Sequence, residues 1–238
     1  MLNTRQQHCL RGIGIRVWRE RPSATLEETK PTPIAAPVVE AASDTATPAE
    51  PVSADLNNWD SILTGIHACT ACELVKNCTQ KVPGVGDREA KLLIVGEGPG
   101  HDEDIRGEPF VGRSGQLLDR MLAAIGIERE QIYITNIVKC RPPNNRDPKP
   151  EEILRCREFL EAQIEQISPR VILSVGRVSA HNLLNVNQPV GKLIKQMHRL
   201  PGTDIPVKVT YHPAYLLRNP SAKAIAWQDL KTLYQLLQ

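Results

Sequence analysis

Short apolar runs alternate with stretches of helical periodicity over most of this chain. Four runs, at 92–95, 132–138, 171–175 and 207–210, are rich in Leu, Ile and Val and bounded by polar residues or glycine, so they predict buried strands. Between and around them apolar residues recur every three or four positions. Trp59, Ile62, Leu63 and Ile66 predict a first short helix. Leu117, Leu118, Met121, Leu122 and Ile125 predict a second, with Ser114 as its cap and Gly126 as its stop. A third opens at Pro150 and carries Ile153, Leu154, Leu160, Ile164 and Ile167. A short helix runs from Gly176 to Leu184, and a last one carries Ile225, Trp227, Leu230, Leu233, Tyr234 and Leu237. Strands alternating with helices predict a parallel sheet between helical layers.

Three strands run into unusual loops. Residues 96–100, Gly-Glu-Gly-Pro-Gly, follow the first. The second leads through Asn136 to Cys140 and Arg141, and the fourth runs into His212-Pro213-Ala214-Tyr215-Leu216-Leu217-Arg218. In an open α/β sheet the carboxyl ends of the strands form the ligand crevice. Glu97, Asn136, His212 and an exposed Phe110 are therefore expected to converge on one cleft. The glycine loop has neither the G-x-G-x-x-G spacing of a dinucleotide site nor the Gly-Lys-Ser/Thr ending of a Walker loop.

Charge changes the picture at the N-terminus. Residues 1–22 hold five Arg and one Glu, and residues 23–55 hold six acids against Lys30. The net charge of +2 thus hides a basic segment, an acidic one and a domain of +3. Residues 23–55, rich in Ala, Pro, Glu and Thr, read as a disordered linker. Residues 1–22 carry Leu10, Ile13, Ile15, Val17 and Trp18, which suits a docking peptide on a tether. The folded domain is assigned to residues 56–238. There is no apolar stretch long enough for a membrane span and no signal-peptide h-region, so a cytoplasmic, membrane-free protein is expected.

In that compartment six cysteines suggest metal or redox chemistry rather than disulfides. Cys69 and Cys72 form a C-x-x-C pair, and Cys140 and Cys156 lie far off. Four such thiolates can hold zinc or an iron–sulfur cluster, and spacing does not decide between them. Cys9 and Cys78 read as spares.

Taken together, Gly96-Glu97-Gly98-Pro99-Gly100, Pro109-Phe110-Val111-Gly112, Thr135-Asn136-Ile137-Val138-Lys139-Cys140-Arg141-Pro142-Pro143 and His212-Pro213-Ala214-Tyr215-Leu216-Leu217-Arg218 resemble the family 4, iron–sulfur uracil-DNA glycosylases. The resemblance runs from about Cys69 to the C-terminus. It implies an α/β/α sandwich with a four-stranded parallel sheet. It also implies a [4Fe–4S] cluster on Cys69, Cys72, Cys140 and Cys156, and excision of uracil from DNA to leave an abasic site. Cys78 stands where similar proteins usually carry a basic residue.

The chemistry can be built beside that resemblance. The target nucleotide must leave the duplex. Leu216 suits the wedge that fills the gap, and Arg141 and Arg218 suit the DNA backbone. Phe110 offers a stacking face, and the Asn136 amide can pair with uracil N3–H and O4. His212 and backbone N–H groups around Gly98 can stabilise charge on the departing base, while Glu97 orients water or faces the cationic sugar. Other branches of the superfamily carry Asp at the position of Gly98. Rival readings are a glycosylase for another deaminated base and a non-catalytic iron–sulfur module that binds DNA or senses redox state. The N-terminal Leu10-Arg11-Gly12-Ile13-Gly14-Ile15-Arg16-Val17-Trp18 resembles the peptide of the DNA polymerase III psi subunit that binds the chi subunit. Chi and uracil-containing DNA are thus the implied partners of a monomer.

Overall fold

A computed structural model describes residues 56–238, so the linker and docking-peptide expectations for residues 1–55 lie outside the described residues. Six strands form one sheet: β1 (Val85–Gly86), β2 (Leu92–Gly96), β3 (Tyr133–Asn136), β4 (Val171–Val175), β5 (Met197–Arg199) and β6 (Pro206–Thr210), in the order β1-β3-β2-β4-β6-β5. The four predicted strands are the central ones, β3-β2-β4-β6, and they pair in parallel. The expected four-stranded sheet needs correction at both margins, where β1 and β5 add antiparallel edges. β1 is two residues long, and β5 is Met-His-Arg with both ends exposed, so neither has an apolar run to announce it.

Eight helices accompany the sheet among the described residues: α1 (Trp59–Ala68), α2 (His101–Arg106), α3 (Arg113–Ala123), α4 (Pro150–Ile167), α5 (Arg177–Leu184), α6 (Val190–Leu193), α7 (Pro213–Arg218) and α8 (Lys223–Leu237). Successive strand side chains point to opposite faces. Leu93 and Val95 pack with Ile172, Val207 and Val209 against Leu160 and Ile164 of α4 and Ala180 and Leu183 of α5. Leu92 and Ile94 pack with Leu173 and Val175 against Leu118 and Leu122 of α3 and Leu230 and Leu233 of α8. The result is a sheet buried on both faces between helical layers, the α/β/α sandwich.

Two details of this frame set up the site. β3 ends at Asn136, before the predicted 138, yet Ile137 N–H donates to the Gly96 carbonyl and Val138 N–H to that of Glu97. The chain therefore still tracks β2 after leaving the ladder. Asn136 also lies opposite Gly96 in register, so the glycine loop and Asn136 emerge side by side. The α3 cap is Gly112, not Ser114, because the helix begins two residues earlier than the polar pattern implies.

Candidate active site

The carboxyl ends of β2, β3 and β6 open into a cleft of about 440 Å³ lined by Glu97, Gly98, Phe110, Asn136, His212 and Arg218, among others. Gly96 makes its floor possible. A Cβ there would overlap Asn136 Oδ1 and lie 2.7 Å from the Phe110 ring.

Phe110 sits in left-handed backbone, φ +54°, which a bulky residue adopts only when its surroundings enforce it. The enforcement is visible. Buried Glu103 accepts from the Val111 and Gly112 N–H groups with one oxygen, both at 3.0 Å, and from Gly100 N–H with the other at 3.1 Å. Arg129 donates to the Pro109 carbonyl at 2.6 Å and forms an ion pair with Asp119 at 2.9 Å. The Phe110 ring stacks on His212, centroids 5.6 Å apart and planes 28° apart.

Asn136 is buried, and its Oδ1 has no hydrogen-bond partner. An orphaned buried acceptor costs about 1–3 kcal/mol, and native proteins tolerate few of them. Its backbone is held from the far side, where Lys139 Nζ donates to the Asn136 carbonyl at 2.9 Å and to Thr135 Oγ1 and Gln163 Oε1, each at 2.7 Å. Burial lowers the Lys139 ammonium to about 8.

His212 Nδ1 accepts from Ala214 N–H at 3.1 Å, so the neutral ring carries its proton on Nε2. Burial, aided by the Arg218 charge and opposed by Glu103, lowers its pKa to about 4. Glu97 moves the other way. Burial, with the charge and hydrogen bond of Asp147 against the opposing charge of Arg177, raises it to about 7. The cleft thus pairs a carboxyl that titrates near neutrality with an imidazole that stays neutral, an acid–base division built by environment.

Behind β3 lies a second, small cavity lined by Cys69, Cys72, Cys140 and Cys156 with Ile66, Leu74 and Phe159. Lys139 N–H donates to Cys156 Sγ at 3.3 Å. Cys78 is outside this lining, and its thiol donates to the Val75 carbonyl at 3.7 Å. Among the described residues no three Cys, His, Asp or Glu side chains stand together as ligands for a single ion. Four thiols around one apolar cavity suit a larger, sulfur-seeking group, with the Lys139 amide already placed on one sulfur.

Residues 83–231 match the family model of the uracil DNA glycosylase superfamily. A type-4 uracil-DNA glycosylase of Archaeoglobus fulgidus is 43% identical over 189 residues, covering 76% of this chain and 94% of the relative. One from Thermotoga maritima is 46% identical over 174 residues, covering 70% and 88%. One from Saccharolobus solfataricus is 41% identical over 189 residues, covering 76% and 88%. This chain belongs to the type-4 uracil-DNA glycosylases.

Against that identity, the glycosylase brings Glu97, Gly98, Phe110, Asn136, His212 and Arg218 together in one cleft. Arg141 is not among the lining residues; it donates to Oδ1 of Asn145, which is one, at 2.7 Å and contacts His101 Nδ1 at 3.0 Å. Two expectations need correction. Phe110 is buried, not exposed, because its loop folds back over Ile94 and Ile134. Leu216 cannot be a surface wedge as placed. The stretch after His212 is helix α7 rather than an irregular loop, and Leu216 points inward with no exposed surface, against Ala222, Ala226, Leu117 and Met121. Tyr215 and Leu217, each 39% exposed, are the apolar side chains that α7 presents to solvent. The sequence reading also missed Glu103, Asn145 and Asp147. Glu103 was legible only as one acid among several, and the 141–148 segment only as a loop.

Proposed function

We propose that this glycosylase reads uracil with Asn136, stacks it on Phe110 and expels it with Glu97 and His212. The observation that carries the reading is the unpartnered Asn136 Oδ1 at the floor of the cleft. Uracil N3–H supplies the donor that this oxygen lacks, while the Asn136 NH₂ faces O4. Cytosine has no proton on N3 and an amino group at position 4, so it leaves both halves of the amide opposed. A site built on buried hydrogen bonds rejects such an analogue strongly.

Bond cleavage sends an electron pair into the base and leaves positive charge on the sugar. The Nε2–H of His212, fixed by Ala214, donates to the O2 on which negative charge grows. His212 meets that anion as a neutral imidazole that keeps its Nε2 proton, since its imidazolium would form only near pH 4. Ionised Glu97 faces the sugar and orients the attacking water. Arg141 and Arg218 meet phosphates. Leu217, exposed on α7, takes the gap-filling role first assigned to Leu216.

Cys69, Cys72, Cys140 and Cys156 would hold a [4Fe–4S] cluster. It would supply a cross-link between α1, α4 and the segment after Asn136, outside the base-excision chemistry. We also propose that the enzyme works as a cytoplasmic monomer, and that residues 1–22 bind the chi subunit while residues 56–238 act on DNA. Trp18→Ala is expected to abolish binding of a 1–22 peptide to chi, and persistence of binding would remove that assignment. The glycosylase reading itself is tested by incubation with a uracil-containing oligonucleotide followed by alkaline cleavage. Strand scission at uracil alone is expected, and scission at hypoxanthine or xanthine instead would favour the rival base preference.

A further inference from the structure

Asp147 and Arg177 lie outside the four motifs quoted above, yet Asp147 lines the cleft and pairs with Arg177. We propose that they are positioning residues for the reaction: Asp147 sets a second carboxyl against Glu97, Arg177 holds it there, and together they fix the pH at which Glu97 becomes an effective carboxylate. The proposal rests on the role given to Glu97 above.

Three observations carry it. First, Asp147 lines the same cleft as Glu97 and forms an ion pair with Arg177. Second, the segment that delivers Asp147 is pinned independently. Arg146 donates to both carboxylate oxygens of buried Glu152, at 2.8 and 2.6 Å, and to the Asp147 carbonyl at 2.9 Å. Lys149 N–H also donates to Glu152, at 2.7 Å. Arg146 is thereby committed elsewhere, leaving Arg177 as the cation that pairs with Asp147. Third, Arg177 is the first residue of α5, where the helix dipole disfavours a cation, and no acid in that first turn offsets it. Asp147, thirty residues away in the chain, supplies the compensation.

The charged and titratable groups around Glu97 come from several elements. Glu103 lies on α2, Arg146 and Asp147 precede α4, and Arg177 begins α5. His212, Tyr215 and Arg218 come from the α7 region. Glu103 is committed to backbone N–H groups, and His212 is neutral above about pH 4. Asp147 and Arg177 are therefore the pair whose removal changes the charge that Glu97 meets, and they do so with opposite sign. Asp147 holds Glu97 protonated to higher pH, whereas Arg177 favours its ionised form. Both side chains are more than half exposed, so solvent screens their effect.

The test is the pH dependence of single-turnover uracil release by the full chain and its variants at low salt. Asp147→Asn is expected to move the acid limb to lower pH by up to about one unit. Arg177→Gln is expected to move it to higher pH by a similar amount. Glu97→Gln is expected to abolish the limb. Coincident limbs in wild type, Asp147→Asn and Arg177→Gln, with the limb absent in Glu97→Gln, would overturn this inference and leave the role of Glu97 standing. A limb that persists in Glu97→Gln would overturn the role of Glu97 and this inference with it.

Discussion

The uracil cleft and the cysteine cavity share one short stretch of chain and treat it in opposite ways. Asn136 faces the cleft and Cys140 the cavity, four residues later. The cleft is open and polar, and it keeps an acceptor unsatisfied and a glutamate near neutrality. The cavity is apolar, and its Cys156 sulfur already receives a backbone N–H. Lys139 stands between them, donating its amide to Cys156 and its ammonium to the Asn136 carbonyl. Reaction chemistry needs groups left short of partners so that a substrate can complete them. A brace needs groups fully committed to one another, and this segment changes from one condition to the other within four residues.

The comparison can be broken from either side. Gly96→Ala attacks the cleft alone, since its methyl group would overlap Asn136 Oδ1 and crowd Phe110. Loss of uracil excision by about 10³-fold or more is expected, because a misplaced base forfeits both alignment and hydrogen bonding. The visible absorbance of anaerobically purified protein should persist in that variant. Cys140→Ser attacks the cavity. Loss of that absorbance and a drop in Tm on the order of 10 °C are expected, since each kcal/mol moves a domain of this size by about 2–4 °C. Stoichiometric zinc without iron in wild-type protein would contradict the cluster.

Smaller effects sharpen the picture. Leu216→Ala should destabilise the fold by about 2–5 kcal/mol in denaturant titration, as a deleted buried leucine does. Leu217→Ala should leave stability within about 0.5 kcal/mol and slow excision from duplex more than from single-stranded DNA. The reverse pattern would restore Leu216 as the wedge. For pH, the sign follows from Glu97. Its pKa is raised to about 7 and the ionised form acts, so single-turnover rates should fall about tenfold per unit on going well below pH 7. His212, protonating near 4, should not interfere above about pH 5.

Much of this was legible in the residues. The central strands announced themselves because both faces are buried, which leaves unbroken apolar runs such as Leu92–Gly96. The edges did not, because Met197-His198-Arg199 has one half-buried side chain between two exposed ones. Ile137 and Val138 read as strand because they are buried, although they have left the ladder. Chemistry in the cleft was legible where residue type is unusual after a strand, as with Glu97, Asn136 and His212. Leu216 misled because counting from His212 carries no facing information, and helix α7 turns it inward while exposing Leu217. The Asp147–Arg177 pair was out of reach, since nothing local joins residues thirty positions apart.

The central claim is that Asn136 reads the base, and the most direct measurement is single-turnover excision by Asn136→Asp on matched oligonucleotides carrying uracil or cytosine. An aspartate cannot donate to O4 when ionised, so uracil excision should fall by about 10³-fold. The ratio of uracil to cytosine activity should collapse with it. Retention of the wild-type uracil rate and base preference would remove Asn136 from the site and contradict the account.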